Sequence, residues 1–217
     1  MVKKIALRLF LAFGIFVVIL IVNFVIFQIT AKKVTEGVPI EIRDPDRVAL
    51  LVIDIQEGTT GSTSVSNSYI RQSEALIASV NSLVADAVEK GWMLIWVRSE
   101  VSNPLINILN STLAKGSVGA ELDERLETSA GKVLVKKKND SFHNTPLDAI
   151  LEEQGIGRLV VAGLDAEHCV LTAIQAAANR GYQLTVFKET VIAEEEALMA
   201  EMLNVYEELG VEIRSME

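Results

Sequence analysis

The apolar residues of this chain follow two different patterns. From Leu9 to Phe27 the sequence reads LFLAFGIFVVILIVNFVIF, in which Asn23 is the one polar side chain. An α-helix of this length extends for about 28 Å, which matches the hydrocarbon thickness of a bilayer. The pattern predicts a membrane-spanning anchor in residues 1–30. A linker with mixed charge and two prolines follows over 31–46.

Two other interpretations of this apolar run stay open. A cleaved secretory signal usually has an apolar region of about 7–15 residues and a small-x-small cleavage site, which Gln28–Ala31 does not resemble. The domain would then be released by cleavage near Ala31. A buried core helix is the other alternative. Three basic residues precede the run and two follow it, which favours, by a narrow margin, a single-pass protein with its domain outside the cytoplasm.

After residue 46 short apolar runs alternate with segments of helical spacing. The apolar runs predict six strands: Val48–Asp54, Trp92–Val97, Lys132–Val135, Arg158–Ala162, Leu184–Phe187 and Val211–Ile213. The other segments predict six helices: Tyr69–Lys90, Leu105–Leu113, Ala120–Leu126, Thr145–Gln154, Glu167–Arg180 and Glu194–Leu209. This alternation predicts an α/β domain over 47–217, a three-layer αβα arrangement around a Rossmann-like parallel sheet of six strands.

The composition excludes several classes of protein. Apolar residues make up 50% of the chain, which is too many for a disordered protein. The single cysteine, Cys169, excludes a disulfide scaffold. A formal net charge of −9 argues against a nucleic-acid partner, because such proteins need a basic surface. No glycine-rich phosphate loop follows a predicted strand.

Three reactive side chains follow predicted strands. In parallel sheets the chemistry lies beyond the carboxyl ends of the strands, where Asp54, Lys136 and Cys169 all fall. Cys169 is close to a predicted helix start, where the helix dipole favours a thiolate. Each residue also has a structural interpretation: Asp54 as a loop cap, Lys136 as part of a solvated lysine run, and Cys169 as a buried thiol.

Four segments in order carry a family resemblance: ALLVIDIQEG, KGSVGAELDERL, VLVKKKNDSFHNTPLDAIL and LVVAGLDAEHCVLTAIQAAANRGYQLTVF. They resemble the isochorismatase-like cysteine hydrolases, the group of isochorismatase, nicotinamidase and N-carbamoylsarcosine amidase. In that family a lysine lies six residues before a phenylalanine. This register selects Lys136, which precedes Phe142, over its two lysine neighbours.

The resemblance implies a hydrolase with an Asp54–Lys136–Cys169 triad acting on a small amide-like substrate. Cys169 would attack the substrate carbon, Asp54 would take the thiol proton, and Lys136 would lower the pKa of the thiol. The family's oxyanion hole uses backbone amides at the nucleophile and beside a non-proline cis peptide, which corresponds to the turn Leu164–Asp165–Ala166. The resemblance also suggests a domain that forms homo-oligomers.

The sequence departs from the nicotinamidase pattern in its metal ligands. The segment after the second strand reads VRSEVSNPLINILN and contains no histidine. We therefore expect no metal and no cofactor. The candidate pocket residues are Gln56, Trp96, Glu100, Phe142 and His168. The alternative function, from another class, is a catalytically silent binding or scaffold protein at the membrane that keeps the fold.

Overall fold

The computed structural model describes residues 2–40 and 44–216. Within these residues six parallel strands form one sheet in the order β3-β2-β1-β4-β5-β6. The strands are β1 (Val48–Ile53), β2 (Met93–Ser99), β3 (Lys132–Lys136), β4 (Arg158–Gly163), β5 (Gln183–Phe187) and β6 (Val211–Arg214). The predicted α/β fold with a six-stranded parallel sheet is confirmed.

The central strand β1 is buried on both faces, as its unbroken apolar run predicts. Its alternate side chains belong to two separate cores because neighbouring residues of a strand point to opposite faces. Ala49, Leu51 and Ile53 face one core, while Leu50 and Val52 face the other. The strand order reverses between β1 and β4, so the segments that follow these two paired strands lead to opposite halves of the sheet, which makes this point the topological switch point.

Helices cover both faces of the sheet. The helices are α1 (Val2–Ala31), α2 (Asn67–Glu89), α3 (Pro104–Leu109), α4 (Leu147–Glu153), α5 (Leu171–Asn179) and α6 (Met199–Glu208). Helix α2 packs on one face through side chains at helical spacing, among them Leu76, Val80 and Leu83. Helices α4, α5 and α6 pack on the other face. This produces the three predicted layers.

The helix predicted over Ala120–Leu126 is wrong. The structure has only a 3₁₀ turn at Val118–Ala120, followed by irregular chain. The backbone of this segment pairs instead with the loop after β1: Glu57 N donates to Glu121 O at 3.0 Å, and Gly58 N donates to Gly119 O at 2.9 Å. Contacts distant in sequence thus replace the hydrogen bonds that a local helix would form.

Helix α1 is the one helix of the described residues that is long and apolar enough to cross a membrane. Its last turns contact the domain, and Asn103 Nδ2 donates to Asn23 Oδ1 at 3.0 Å. The linker predicted over 31–46 includes residues 41–43, which lie outside the described residues. The part before them is bound to the domain, since Thr35 N donates to Asp140 Oδ2 and Ile40 N donates to Arg180 O, both at 2.8 Å.

Candidate active site

The carboxylate of Asp54 extends from the carboxyl end of β1. Asp54 has a positive φ of 56°, a left-handed conformation that costs a non-glycine residue of order 1–2 kcal/mol. Its backbone is held on both sides, because Asp54 N donates to Val97 O at 2.8 Å and Thr59 Oγ1 donates to Asp54 O at 2.6 Å. The loop therefore fixes the direction of a carboxylate that is only 5% exposed.

Lys136, the last residue of β3, is 1% exposed and connects the other polar groups of the site. Its Nζ donates to Asp54 Oδ2 at 2.8 Å, to Ser99 Oγ at 2.9 Å and to Cys169 Sγ at 3.1 Å. Ser99, at the end of β2, in turn donates to Asp54 Oδ1 at 2.9 Å. A buried ammonium thus has three polar partners and one opposite charge, which offsets the cost of its burial.

Cys169 lies beyond β4 in a short π-helical turn, Ala166–Val170, that precedes α5. Glycine is required at the end of β4: a Cβ on Gly163 would stand 2.0 Å from Ile53 O, and its φ is 117°. The following peptide, Leu164–Asp165, is cis. This close approach between β4 and β1 brings the cysteine sulfur to the ends of β1 and β3, where it is partly exposed to a cavity.

The environment of the thiol favours its neutral form. The pKa of Cys169 is raised to about 12: burial is the largest cause, the charge of Asp54 acts in the same direction, and Lys136 acts in the opposite direction. For Lys136, burial favours the neutral amine, but the interactions with Asp54 and Cys169 outweigh this effect and raise the pKa of the ammonium. The resting site is therefore an Asp54–Lys136 ion pair beside a protonated thiol. Lys136 lowers the pKa of the thiol, but the net shift of this pKa is upward.

Asp165 organises the turn that carries the cysteine. Its carboxylate accepts hydrogen bonds from Tyr69 Oη at 3.0 Å, Glu194 N at 2.6 Å and Glu167 N at 2.8 Å, and His168 Nδ1 lies 3.3 Å away. Burial acts to raise the pKa of Asp165, but these donors outweigh it and hold the pKa below its usual range. The pKa of His168 is raised, mainly by its hydrogen bond to Asp165.

Two backbone amides of the turn predicted to supply oxyanion donors form hydrogen bonds within the fold. Leu164 N donates to Ile53 O and Ala166 N donates to Ile192 O, each at 3.0 Å, so both amides have partners within the fold. These bonds attach the turn to the neighbouring strand and loop. Asp165 and Cys169 supply the other two candidate amides of this turn and its nucleophile.

The cavity beside the sulfur has a volume of about 270 Å³. Its polar wall contains Asp54, Ser99, Glu100, Asp165 and His168. Its apolar wall contains Phe27, Ala31, Val101, Leu113 and Leu164. Two residues of α1 thus belong to the cavity, a contribution that the anchor pattern did not predict. Of the five candidate pocket residues, Glu100 and His168 line the cavity.

The other three candidate pocket residues lie elsewhere. Trp96 is 1% exposed in the core beneath α2, and its Nε1 donates to Ala130 O at 2.7 Å. Phe142 packs in the opposite core, where the Arg180 guanidinium lies over its ring. Each packs in a core on one face of the sheet and not in the cavity at its edge, which the sequence register alone did not reveal.

Gln56, the third of these residues, positions the backbone of Ser99 and does not enter the cavity. Its amide bonds both backbone groups of Ser99: Gln56 Nε2 donates to Ser99 O at 3.0 Å, and Ser99 N donates to Gln56 Oε1 at 2.8 Å. Gln56 is fully buried and does not line the cavity. At the end of β2 the sequence placed Arg98, Ser99 and Glu100, of which Glu100 alone was a candidate pocket residue. The rule that led to Asp54 and Lys136, position at a strand end, also applies to Ser99.

The donor set does not fit a catalytic metal. Among the described residues, no three His, Cys, Asp or Glu side chains are grouped closely enough to hold an ion. His168 contacts Asp165 and is exposed, and His143 contacts Asn144 outside the cavity. A zinc site needs at least three nitrogen, sulfur or carboxylate ligands around one point.

Solved structures share this fold. They include N-carbamoylsarcosine amidase from Thermoplasma acidophilum, with 25% identity, a TM-score of 0.66, and coverage of 78% of this chain and 96% of that one. An isochorismatase family protein from Desulfovibrio vulgaris subsp. vulgaris str. Hildenborough has 22% identity and a TM-score of 0.69, with 80% and 95% covered. Nicotinamidase from Bacillus subtilis has 20% identity and a TM-score of 0.67, with 78% and 99% covered.

The parallel sheet, its flanking helices and these likenesses define the class as the isochorismatase-like hydrolases. The sequence model of the isochorismatase domain matches residues 48–217. The chain therefore belongs to the isochorismatase family, as the sequence motifs predicted.

Proposed function

We propose that this protein is a metal-independent cysteine hydrolase that cleaves the C–N bond of an amide-like substrate. The observation that carries the proposal is the position of Lys136 Nζ, within hydrogen-bond distance of both Asp54 Oδ2 and Cys169 Sγ. A base and a sulfur that line one cavity and share a buried ammonium form the arrangement expected for a nucleophile with an adjacent base. The similarity to an amidase structure supports the amide class of substrate.

The reaction starts from the neutral thiol. Asp54 takes the thiol proton as the sulfur attacks the carbonyl carbon, so the thiolate exists only while a substrate consumes it. The tetrahedral oxyanion accepts hydrogen bonds from the amides of Asp165 and Cys169. Asp54 then returns the proton to the leaving nitrogen, the C–N bond breaks, and a thioester remains on Cys169.

Water completes the cycle. Asp54 removes a proton from water, the oxygen attacks the thioester carbon, and the C–S bond breaks to release a carboxylic acid. The proton held by Asp54 returns to the sulfur, which restores the resting thiol. Lys136 stays protonated throughout and keeps the negative charge of Asp54 beside the sulfur. The sum is one amide and one water converted to one acid and one amine.

The test is a screen of primary amides and carbamoyl compounds with the full chain, with ammonia release as the signal. We expect turnover to disappear in Cys169→Ala and to fall by at least about a hundredfold in Lys136→Ala. Lys132→Ala is the matched control, because Lys132 is exposed at the other end of β3. A thioester adduct on Cys169 in acid-quenched samples, seen by intact mass, would identify the intermediate.

The screen also distinguishes the alternative function. A binding protein that has lost catalysis would show ligand-dependent stabilisation in the wild type and in Cys169→Ala, with no ammonia from either. Ammonia release that persists in Cys169→Ala would refute the cysteine mechanism.

We also propose that α1 anchors the protein in a membrane as a single span, with the domain on the extracytoplasmic side. The apolar run and the excess of basic residues before it support this. Retention in the membrane fraction after alkaline carbonate extraction is the expected result, and protease access to the domain from outside intact cells tests the side. Sequencing the mature N-terminus tests cleavage near Ala31, the competing interpretation.

A further inference from the structure

The membrane helix forms part of the wall of the catalytic cavity. Phe27 and Ala31, one turn apart on the same face of α1, line the cavity together with Val101 and Leu113 of the domain. Lys138 closes this contact, since its Nζ donates to Thr30 Oγ1 at 2.5 Å and lies 5.6 Å from the centre of the Phe27 ring. A helix that served only as a tether would not need to contribute side chains to a site.

The contact between α1 and α3 shows how far the domain reaches along the apolar part of α1. Asn23 lies inside the apolar run and pairs with Asn103, the residue that caps α3. Asn23 and Ala31 are separated by eight residues, about 12 Å along the helix. The start of α3 is therefore level with apolar turns of α1. Ile108 and Leu109 of α3 are 62% and 55% exposed, as expected for side chains that contact lipid.

The charges at this junction fit a membrane surface. Lys32, Lys33 and Lys137 are exposed beside the last turn of α1, and Lys138 is partly exposed. They gather here although the chain as a whole carries a net charge of −9. Basic residues at the end of an apolar helix stabilise its contact with lipid head groups.

We propose that the cavity opens into the membrane interface and that the substrate is a bilayer-resident amphiphile. Its acyl chain would lie along Phe27, Val101 and Leu113, and its amide carbonyl would reach the sulfur of Cys169. The inference rests on the proposed hydrolase for the reaction, and it adds the class of substrate. The apolar wall binds the tail, while the head meets the polar wall of the cavity.

The first experiment measures whether α3 contacts the acyl chains of the bilayer, and it does not depend on the reactivity of Cys169. The full chain carrying Ile108→Trp is reconstituted in phosphatidylcholine vesicles whose acyl chains are brominated, and tryptophan quenching is compared with the wild type. Val88→Trp is the matched control: Val88 is 54% exposed near the end of α2, at the opposite edge of the sheet. We expect added quenching for Ile108→Trp alone. No added quenching there, or equal quenching at both positions, overturns the inference.

The second experiment tests whether an acyl chain binds along the apolar wall of the cavity. Cys169, the only cysteine, is alkylated at pH 9 by N-ethyl- or N-dodecyl-2-chloroacetamide in vesicles of unbrominated lipid and followed by intact mass. We expect the dodecyl probe to react about tenfold faster, the effect of burying about two methylene groups. Leu113→Asp and Phe27→Asn should each reduce this ratio to about one. Val118→Asp is the control, because Val118 is exposed and outside the cavity.

The outcomes separate this inference from the proposed function. If the dodecyl probe still reacts faster in both cavity variants, its advantage comes from partitioning into lipid alone. This result would overturn the binding of an acyl chain along the apolar wall. Equal rates for the two probes in the wild type would do the same. Failure of both probes to react would count against a reactive Cys169, and the quenching result would still decide whether the cavity faces the bilayer.

Discussion

Replacing Asp54 by Asn should stop hydrolysis and, at the same time, make Cys169 more reactive toward a simple alkylating agent. The charge of Asp54 raises the pKa of the thiol, while Lys136 at 3.1 Å lowers it. In the wild type the buried charges balance as carboxylate and ammonium beside a neutral thiol. The Asp54→Asn variant would leave the ammonium without its carboxylate, so that ionisation of the sulfur would restore the balance.

The magnitude follows from the removal of one neighbouring negative charge. A charge within about 4–6 Å shifts a pKa by about 1–3 units, and we take about two units for the loss of Asp54. At pH 8.5, well below the thiol pKa of about 12, this raises the thiolate population about a hundredfold. Thiolate nucleophilicity falls as the pKa falls, which removes about eightfold of that gain. Alkylation should therefore accelerate about tenfold.

The assay is iodoacetamide labelling of Cys169 followed by intact mass from pH 7 to 10. The wild-type rate should rise with pH without a plateau, because the raised pKa lies above this range. Asp86→Asn is the matched control: Asp86 is exposed on α2 and forms an ion pair with Lys90 across 3.3 Å. It should change the rate by less than about twofold. Alkylation of Asp54→Asn at or below the wild-type rate would refute the charge balance described here.

Three further predictions concern single groups. Lys136→Met removes the positive charge beside the buried carboxylate of Asp54 and should lower the free energy of unfolding, measured in urea, by about 3–5 kcal/mol. An unchanged free energy of unfolding would show that the ion pair is not a stabilising contact. The NMR titration midpoint of His168 should lie above 6.5 and return toward it in Asp165→Asn. Its raised pKa stabilises the fold below the unfolded pKa of about 6.5, and this contribution is lost as pH rises through the folded pKa. Gly163→Ala places a Cβ 2.0 Å from Ile53 O and should cost more than about 2 kcal/mol by thermal unfolding, whereas near-wild-type stability would mean that the strands can separate there.

Much of the site could be predicted from strand positions. The apolar runs identified all six strands within two residues at each end, and the three reactive side chains were named from their places after β1, β3 and β4. This works because parallel strands end at one edge of their sheet. The helix at Ala120–Leu126 could not be excluded in this way, since its backbone bonds to a loop more than sixty residues earlier.

The pattern of residues by itself determined the class of fold and the apolar helix α1, and it placed Asp54, Cys169 and a run of three lysines at strand ends; the family resemblance selected Lys136 and implied the roles of the three groups. Periodicity and position along a strand are local properties, and they can be read without coordinates. Only the tertiary structure decided that Ser99 forms hydrogen bonds with Asp54 and Lys136, that Trp96 and Phe142 lie in the two cores, and that residues of α1 line the cavity. It also decided the direction of the thiol pKa, because burial and the separation of charges depend on how distant segments pack.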